Sequence, residues 1–243
     1  MKKNIDWLKE IPIAHRGLHD KIAPENSIKS FKNAISNNYA IEIDVNITKD
    51  NKIVVFHDEN TYRMTGVNKN INKSTYKELL DLNLLDTNEK IPLLSDILKL
   101  INNKVPILIE IKSSDEKFTI LNEVYNIVNY YNGKYCILSF DPYILEYFKI
   151  KDVDIIRGLL TSSYKQYHKS CSWYESLILR SMILNYKAKP NFIACDIDLL
   201  PDLKLQKLRN NGTILLSWTI NTKEKLNKAY DYSDNIIFEN MLP

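Results

Sequence analysis

The chain has 243 residues, 44% of them apolar, and a net charge of only +3 with acids and bases interspersed. It is long enough to bury one large core and shows no linker or compositional break, so a single domain over 1–243 is expected; its charge excludes field-driven nucleic-acid binding. Cys136, Cys171 and Cys195 are far apart without Cys-x-x-Cys spacing, which excludes a disulfide framework or zinc site and suits a reducing compartment. Residues 4–10 supply no apolar signal core and no window is long and apolar enough to span a bilayer, so a cytoplasmic address without stable membrane insertion is expected.

Residues 11–15 read as a short strand ending at His15-Arg16-Gly17, with Gly17 fitting a sharp turn or a close backbone approach. Pro24-Glu25-Asn26-Ser27 is a helix-start signal, followed by Ile28, Phe31 and Ile35 at helical spacing. In the next strand, Ile41, Ile43 and Val45 alternate with Glu42, Asp44 and Asn46. Asp50-Asn51 then suits a two-residue hairpin loop, which sets Asn46 opposite Val55 and Asp44 opposite His57. Directly opposed residues share a face with Cβ atoms about 5 Å apart, so Glu42, Asp44 and His57 share one surface. Two readings follow: a solvated polar face, or a metal site with an acid/base beside it.

Residues 59–90 are polar and loop-like, with a helix around 74–82. Ser95 suits the cap of a helix whose stripe is Ile97, Leu98 and Ile101. A strand over 105–112 places Glu110 and Lys112 on one face at its C-terminal end. A helix near 116–130 and a strand over 135–140 follow, and Asp141-Pro142 opens another helix as N-cap and first residue. Residues 155–160 form a strand; 161–190 are a long, partly aromatic stretch with a helical pattern around 176–184. The remaining elements are strands over 192–197, 213–221 and 235–239, and helices over 202–210 (closed by Gly212) and 223–230.

Leaving out the hairpin return, eight strands alternate with helices, the pattern of a (β/α)8 TIM barrel with a β-hairpin extension after the second strand. No residues remain for an eighth helix; the segment 4–8 would cover that gap or plug the floor. The barrel decides between the two readings of the carboxylates. Ionised groups inside a barrel are tolerable at the C-terminal rim, where barrel enzymes hold their chemistry. Glu42, Asp44, Glu110, Lys112 and His15 all fall at C-terminal strand ends. Converging carboxylates cost several kcal/mol unless a cation joins them.

Oxygen-only ligands Glu42, Asp44 and Glu110 suit a hard divalent ion, Mg²⁺ or Ca²⁺. Beside Arg16 and Lys112 such an ion matches a phosphate, with arginine as a fork and lysine as a point charge. His15 and His57 then divide the proton work on a phosphodiester, whose alcohol leaves poorly; His57 alternatively ligates the metal. His19 and His168 are assigned to the surface. Trp218 is taken as a rim wall against the substrate, Phe140 as packing, and Asp196 as a helix cap. Tyr164, Tyr167, Trp173 and Tyr174 are assigned to burial under a long loop.

In their order and separations, His15-Arg16, Pro24-Glu25-Asn26-Ser27, Glu42-Ile43-Asp44, His57-Asp58, Glu110-Ile111-Lys112, Ser139-Phe140, Arg157-Gly158-Leu159 and Trp218-Thr219-Ile220-Asn221 resemble the glycerophosphodiester phosphodiesterase family over nearly the whole chain. The resemblance implies metal-dependent hydrolysis of small glycerophosphodiesters to sn-glycerol 3-phosphate and an alcohol. It implies Glu42, Asp44 and Glu110 as metal ligands, His15 and His57 as the acid/base pair, and Arg16 and Lys112 on the phosphate. Glu25 and Asn26 would orient these groups or join the metal's shell. The chain departs from the family at its last strand, which ends Phe238-Glu239-Asn240 instead of Thr-Asp near a proline. Cleavage through a cyclic phosphate, as in related phospholipase barrels, and a non-catalytic phosphodiester-binding barrel are the alternatives.

Overall fold

The computed structural model describes residues 5–112, 117–162 and 185–243. The fold is the expected α/β barrel, eight parallel strands with one antiparallel addition. The strands are β1 (Ile13–Ala14), β2 (Ala40–Ile47), β3 (Ile53–Val55), β4 (Ile107–Ile111), β5 (Tyr135–Ser139), β6 (Ile156–Thr161), β7 (Phe192–Asp196), β8 (Ile214–Ile220) and β9 (Asn235–Phe238). They divide between two compact units, Ala14–Tyr135 and the remainder.

In the unit Ala14–Tyr135, β2 lies between antiparallel β3 and parallel β4. The alternation of β2 and β4 explains this: Ile41, Ile43, Val45, Ile107, Ile109 and Ile111 are all fully buried, each contributing about 2 kcal/mol of apolar transfer. The helix Ile28–Ser36 packs on β2 through a face that includes Phe31 and Ala34. It starts where the sequence signals, because Ser27 caps it in a reciprocal box with Ser30. Gly17 has φ +81°, and a Cβ there would lie 2.5 Å from Ser30 Oγ. Turn and close approach are therefore both required. The helix Leu94–Ile101 begins one residue before Ser95, so the expected Ser95 cap is wrong. Leu93 precedes the helix, and Leu94 extends the buried stripe of Ile97, Leu98 and Ile101.

The hairpin differs from expectation by one residue. Val45 pairs with Val55 and Ile47 with Ile53, not Asn46 with Val55. The cause is the turn: Asn51 N donates to Thr48 O at 3.0 Å and Asn51 takes φ 57°. This is a three-residue loop ending in a left-handed residue, which adds one position to the count. By strand register His57 would then face away from Asp44. It does not, because β3 stops at Val55 and the chain leaves the ladder after Phe56 N bonds Asp44 O.

The helix expected around 74–82 is present as Tyr76–Leu80, but the rest of residues 59–90 is more than the expected loop. Short helices Tyr62–Thr65 and Tyr76–Leu80 flank a 3-10 turn at Ile71–Lys73. Met64, Ile71, Leu79, Leu82, Leu84 and Ile91 bury themselves with Val54 and Phe56 as a satellite core. Their spacing is too irregular for a periodicity search, so the sequence hides this cluster.

In the other unit, β5 to β9 run parallel, each beside the next. Asp141 caps its helix through Tyr143 N, as expected, and Asp202, expected as the first residue of the next helix, caps it through Lys204 N. Gly212, at φ +91°, follows the helix Leu203–Asn210. The N-terminal helix Trp7–Glu10 packs on β8 and β9, burying Trp7 and Leu8. Asn235 Nδ2 fastens it by donating to Leu8 O at 2.9 Å and Ile11 O at 2.7 Å. Cys136 and Cys195 are buried. His19, expected at the surface, is half-buried. The expected helix over 176–184, Tyr164, Tyr167, His168, Cys171, Trp173 and Tyr174 lie outside the described residues.

Candidate active site

The site residues from His15 to Lys112 all belong to the unit Ala14–Tyr135. Asp44 and Glu110 are register partners on β2 and β4, and Glu42 sits two residues before Asp44 on the same face. A carboxylate oxygen from each of Glu42, Asp44 and Glu110 lies within 4.8 Å of the other two. The water-facing alternative fails on burial: Glu42 is 2% exposed and Asp44 1%.

Cations surround this cluster. Lys112 Nζ lies 2.9 Å from Asp44 Oδ1 and 2.7 Å from Glu110 Oε1. Arg16 Nε is 3.2 Å from Asp44 Oδ2, and Arg16 Nη1 donates to Glu25 Oε1 at 2.8 Å. The Arg16 backbone N–H donates to Glu42 Oε2 at 3.0 Å. Arg16 and Asn26 both hold left-handed backbone, with φ 56° and 55°, and Asn26 N bonds Arg16 O. Such geometry away from glycine persists where surrounding structure enforces it. Here it aims Asn26 Nδ2 at Asp44 Oδ2, 3.1 Å away. Asn26 thus orients Asp44, and Glu25 orients Arg16.

The electrostatics are uneven. Burial first, then Asp44 and Glu110, pushes the Glu42 carboxyl well above the usual carboxylate range, against the pull of Arg16. Burial also opposes charge on Asp44, but Lys112 above all, with His57, Arg16 and His15, holds it below that range. Burial works against the Lys112 ammonium, and Asp44 and Glu110 outweigh it, so its pKa is raised.

The histidines flank the cluster. His15 Nε2 is 3.9 Å from Glu42 Oε2. His57 Nδ1 is 2.6 Å from Asp58 Oδ1. A carboxylate at Nδ1 fixes the tautomer that carries its proton there and leaves Nε2 for the substrate side. Burial lowers the His57 pKa, with Lys112 and Arg16 adding to it against Asp44 and Asp58. Its neutral form is the one able to take up a proton.

A divalent cation fits this cluster on three observations. The donors are all oxygen, they converge, and Glu42 Oε1 is buried without a hydrogen-bond partner. A cation would give that oxygen its missing partner and remove the repulsion that burdens Glu42.

Trp218 belongs to the other unit, where its Nε1 donates to Ala194 O at 3.0 Å and its ring meets Phe140 edge-on at 5.7 Å. Asp196 caps a short turn by accepting from Asp198 N, as expected. Sequence reasoning gave Asp58 no role of its own and passed over Arg63. Arg63 lies in the satellite-core segment, and its Nε donates to Asp58 Oδ2 at 2.6 Å. The available signal was composition: five of the 33 basic residues are arginine, so an arginine five residues after His57-Asp58 invites the question of what its planar fork spans.

The sequence pattern of the Glycerophosphoryl diester phosphodiesterase family matches residues 15–238. A glycerophosphodiester phosphodiesterase of Caldanaerobacter subterraneus subsp. tengcongensis is 29% identical over 91% of this chain and 90% of its own. A lysophospholipase D of Homo sapiens is 27% identical over 90% of this chain and 79% of its own. A phosphodiesterase of Oleispira antarctica, solved with its product sn-glycerol-3-phosphate, superposes with a TM-score of 0.80 at 21% identity, covering 96% of this chain and 94% of that one. This last likeness is one of fold.

Proposed function

The chain belongs to the glycerophosphoryl diester phosphodiesterase family, and from that premise we propose that it hydrolyses small glycerophosphodiesters to sn-glycerol 3-phosphate and an alcohol at the Glu42–Asp44–Glu110 cluster. The convergence of those three carboxylates within 4.8 Å carries the proposal. Glu42, Asp44 and Glu110 would hold Mg²⁺ or Ca²⁺. When bound, such an ion acts as a Lewis acid on a phosphate oxygen.

The chain's own residues do the rest. Arg16 and Lys112 take the phosphate, the first as a fork braced by Glu25, the second as a point charge. Lys112 has a third donor direction left after its contacts with Asp44 and Glu110. His57, held at Nδ1 by Asp58, works through Nε2; His15 works from the end of β1. One accepts the proton of the attacking oxygen and the other donates to the leaving alkoxide. Asn26 keeps Asp44 in place. Three cysteines without Cys-x-x-Cys spacing are in keeping with a cytoplasmic enzyme.

Phosphorus NMR of glycerophosphocholine incubated with the protein in ¹⁸O-water tests this. Direct hydrolysis yields labelled glycerol 3-phosphate from the first turnover. An unlabelled cyclic phosphate appearing first would replace water by a glycerol hydroxyl as attacking group, and no product at all would refute the proposal.

A further inference from the structure

We infer that Arg63 is a positioning residue that locks the His57–Asp58 pair to the Glu25–Arg16 pair. The inference rests on the phosphodiesterase reading above and extends it to a residue outside the motifs that carry it.

The geometry is that of a clasp. Arg63 Nε donates to Asp58 Oδ2 at 2.6 Å. On the other side Nη2 donates to Glu25 Oε1 at 2.7 Å and Nη1 to Glu25 Oε2 at 2.9 Å. One guanidinium therefore spans two carboxylates, and each of those holds a working residue with its inner oxygen. Asp58 Oδ1 meets His57 Nδ1 at 2.6 Å, and Glu25 Oε1 also accepts from Arg16 at 2.8 Å. Planarity and five fixed donors make this possible for arginine, while a lysine ammonium cannot span both partners.

The clasp also has an anchor. Arg63 sits on the short helix Tyr62–Thr65 beside Met64, which is buried in the satellite core. Exposed salt bridges contribute little to stability, and Arg63 is about half-exposed. A side chain so placed, with three short charged hydrogen bonds, is better explained by what it orients than by what it stabilises. The hydrogen bonds of Arg63 run to Asp58, to Glu25 and to Met64 Sδ, so it acts on the site through Asp58 and Glu25.

The effects on the two partners are unequal. Arg16 keeps its contact with Asp44 and its backbone bond to Glu42 when Arg63 is removed. Asp58 Oδ2 loses the one hydrogen-bond donor it has among the described residues. Turnover should therefore suffer more than substrate binding.

The test is steady-state kinetics of Arg63→Ala, Arg63→Lys, Asp58→Asn and the Asp58→Asn/Arg63→Ala pair on glycerophosphocholine with metal in excess. We expect kcat of Arg63→Ala to fall about tenfold to a hundredfold, as when partners behind a working residue are lost, with KM changed by less than about threefold. Arg63→Lys should recover only part of the loss. Added guanidinium, unlike sodium chloride at equal ionic strength, should restore part of the activity of Arg63→Ala. In the Asp58→Asn background Arg63→Ala should cost far less than in the wild type, since both act through one bond. A kcat for Arg63→Ala within about twofold of wild type, or equal losses in both backgrounds, overturns the inference. A fall in activity matched by a fall in Tm, without guanidinium rescue, assigns Arg63 to structure and overturns it as well. An inert wild type would instead refute the phosphodiesterase reading, and the inference with it.

Discussion

Asp44 and Glu110 stand opposite each other on adjacent parallel strands, and the ammonium of Lys112 lies against both. Two buried acids so close are held together by a cation the chain supplies itself. Glu42, the third acid, has no lysine against it among the described residues; it accepts from the Arg16 backbone N–H and lies 3.9 Å from His15 Nε2. This imbalance sets the behaviour expected of the site.

Glu42→Gln keeps the shape and removes the charge. Turnover should fall at least about a hundredfold, since a metal's polarisation is worth several kcal/mol. Tm without metal should stay level or rise by about 2–4 °C, the shift expected for about 1 kcal/mol in a chain of this size. The Tm gain on adding Mg²⁺ or Ca²⁺ should shrink. A variant that keeps full activity removes Glu42 from the site.

The pH dependence has a definite sign. Glu42 has its folded pKa raised well above the ordinary value of about 4.3 for a glutamate, so folding favours its protonated form. Relative to Glu42→Gln, the metal-free wild type should be most stable below about pH 4.3 and lose ground as pH rises towards the raised folded value. Metal must expel that proton. Calorimetry in buffers of different ionisation enthalpy should show proton release on binding, and affinity should weaken as pH falls. Metal binding without proton release, or a wild-type Tm that tracks the variant at every pH, would contradict this assignment.

Lys112→Met separates the two cationic jobs of that residue. Without metal, Asp44 and Glu110 lose their shared partner, so Tm should fall, by the order of 3 kcal/mol in stability if the site does not relax. Metal affinity should hold or tighten because a competing positive charge is gone. KM for the substrate should rise, because the phosphate loses a point charge. Unchanged KM would place the phosphate elsewhere.

Asp58→Asn tests the orientation of His57. An amide can present its N–H₂ to Nδ1 and favour the other tautomer, putting the proton on the substrate side. Activity should drop about tenfold to a hundredfold, as for other partners behind a working histidine, while the metal-free Tm stays near wild type because Asp58 is exposed at its edge. An active Asp58→Asn enzyme would mean that His57 works without a fixed tautomer.

Much of the architecture could be read from residue order. Alternating Ile41, Ile43 and Val45 mark a strand whose other face is acidic, and only a barrel rim makes that face tolerable when buried. Ser27 and Asp141 announce their helices because their side chains have one obvious local task. What escaped depended on tertiary context. The one-residue register error came from Asn51, whose left-handed backbone lengthens the turn, and a two-residue loop reads equally well from Asp50-Asn51. His57 reached the expected neighbourhood for another reason, since its strand ends before register applies. Met64 and Ile71 carry no period, so their part of the satellite core, and Arg63 on its edge, read as loop; Leu79 falls in the expected helix over 74–82. Ser95 has a capping side chain, but Leu94 had a place in the core one residue earlier.

The most direct measurement is the initial rate of glycerol 3-phosphate release from glycerophosphocholine by EDTA-dialysed protein before and after adding back Mg²⁺ or Ca²⁺, for the wild type and Glu110→Gln. The carboxylate cluster predicts no rate after dialysis, recovery on adding one of these ions to the wild type, and little recovery in Glu110→Gln. A dialysed enzyme that keeps its full rate, or a Glu110→Gln enzyme that recovers as the wild type does, would contradict it.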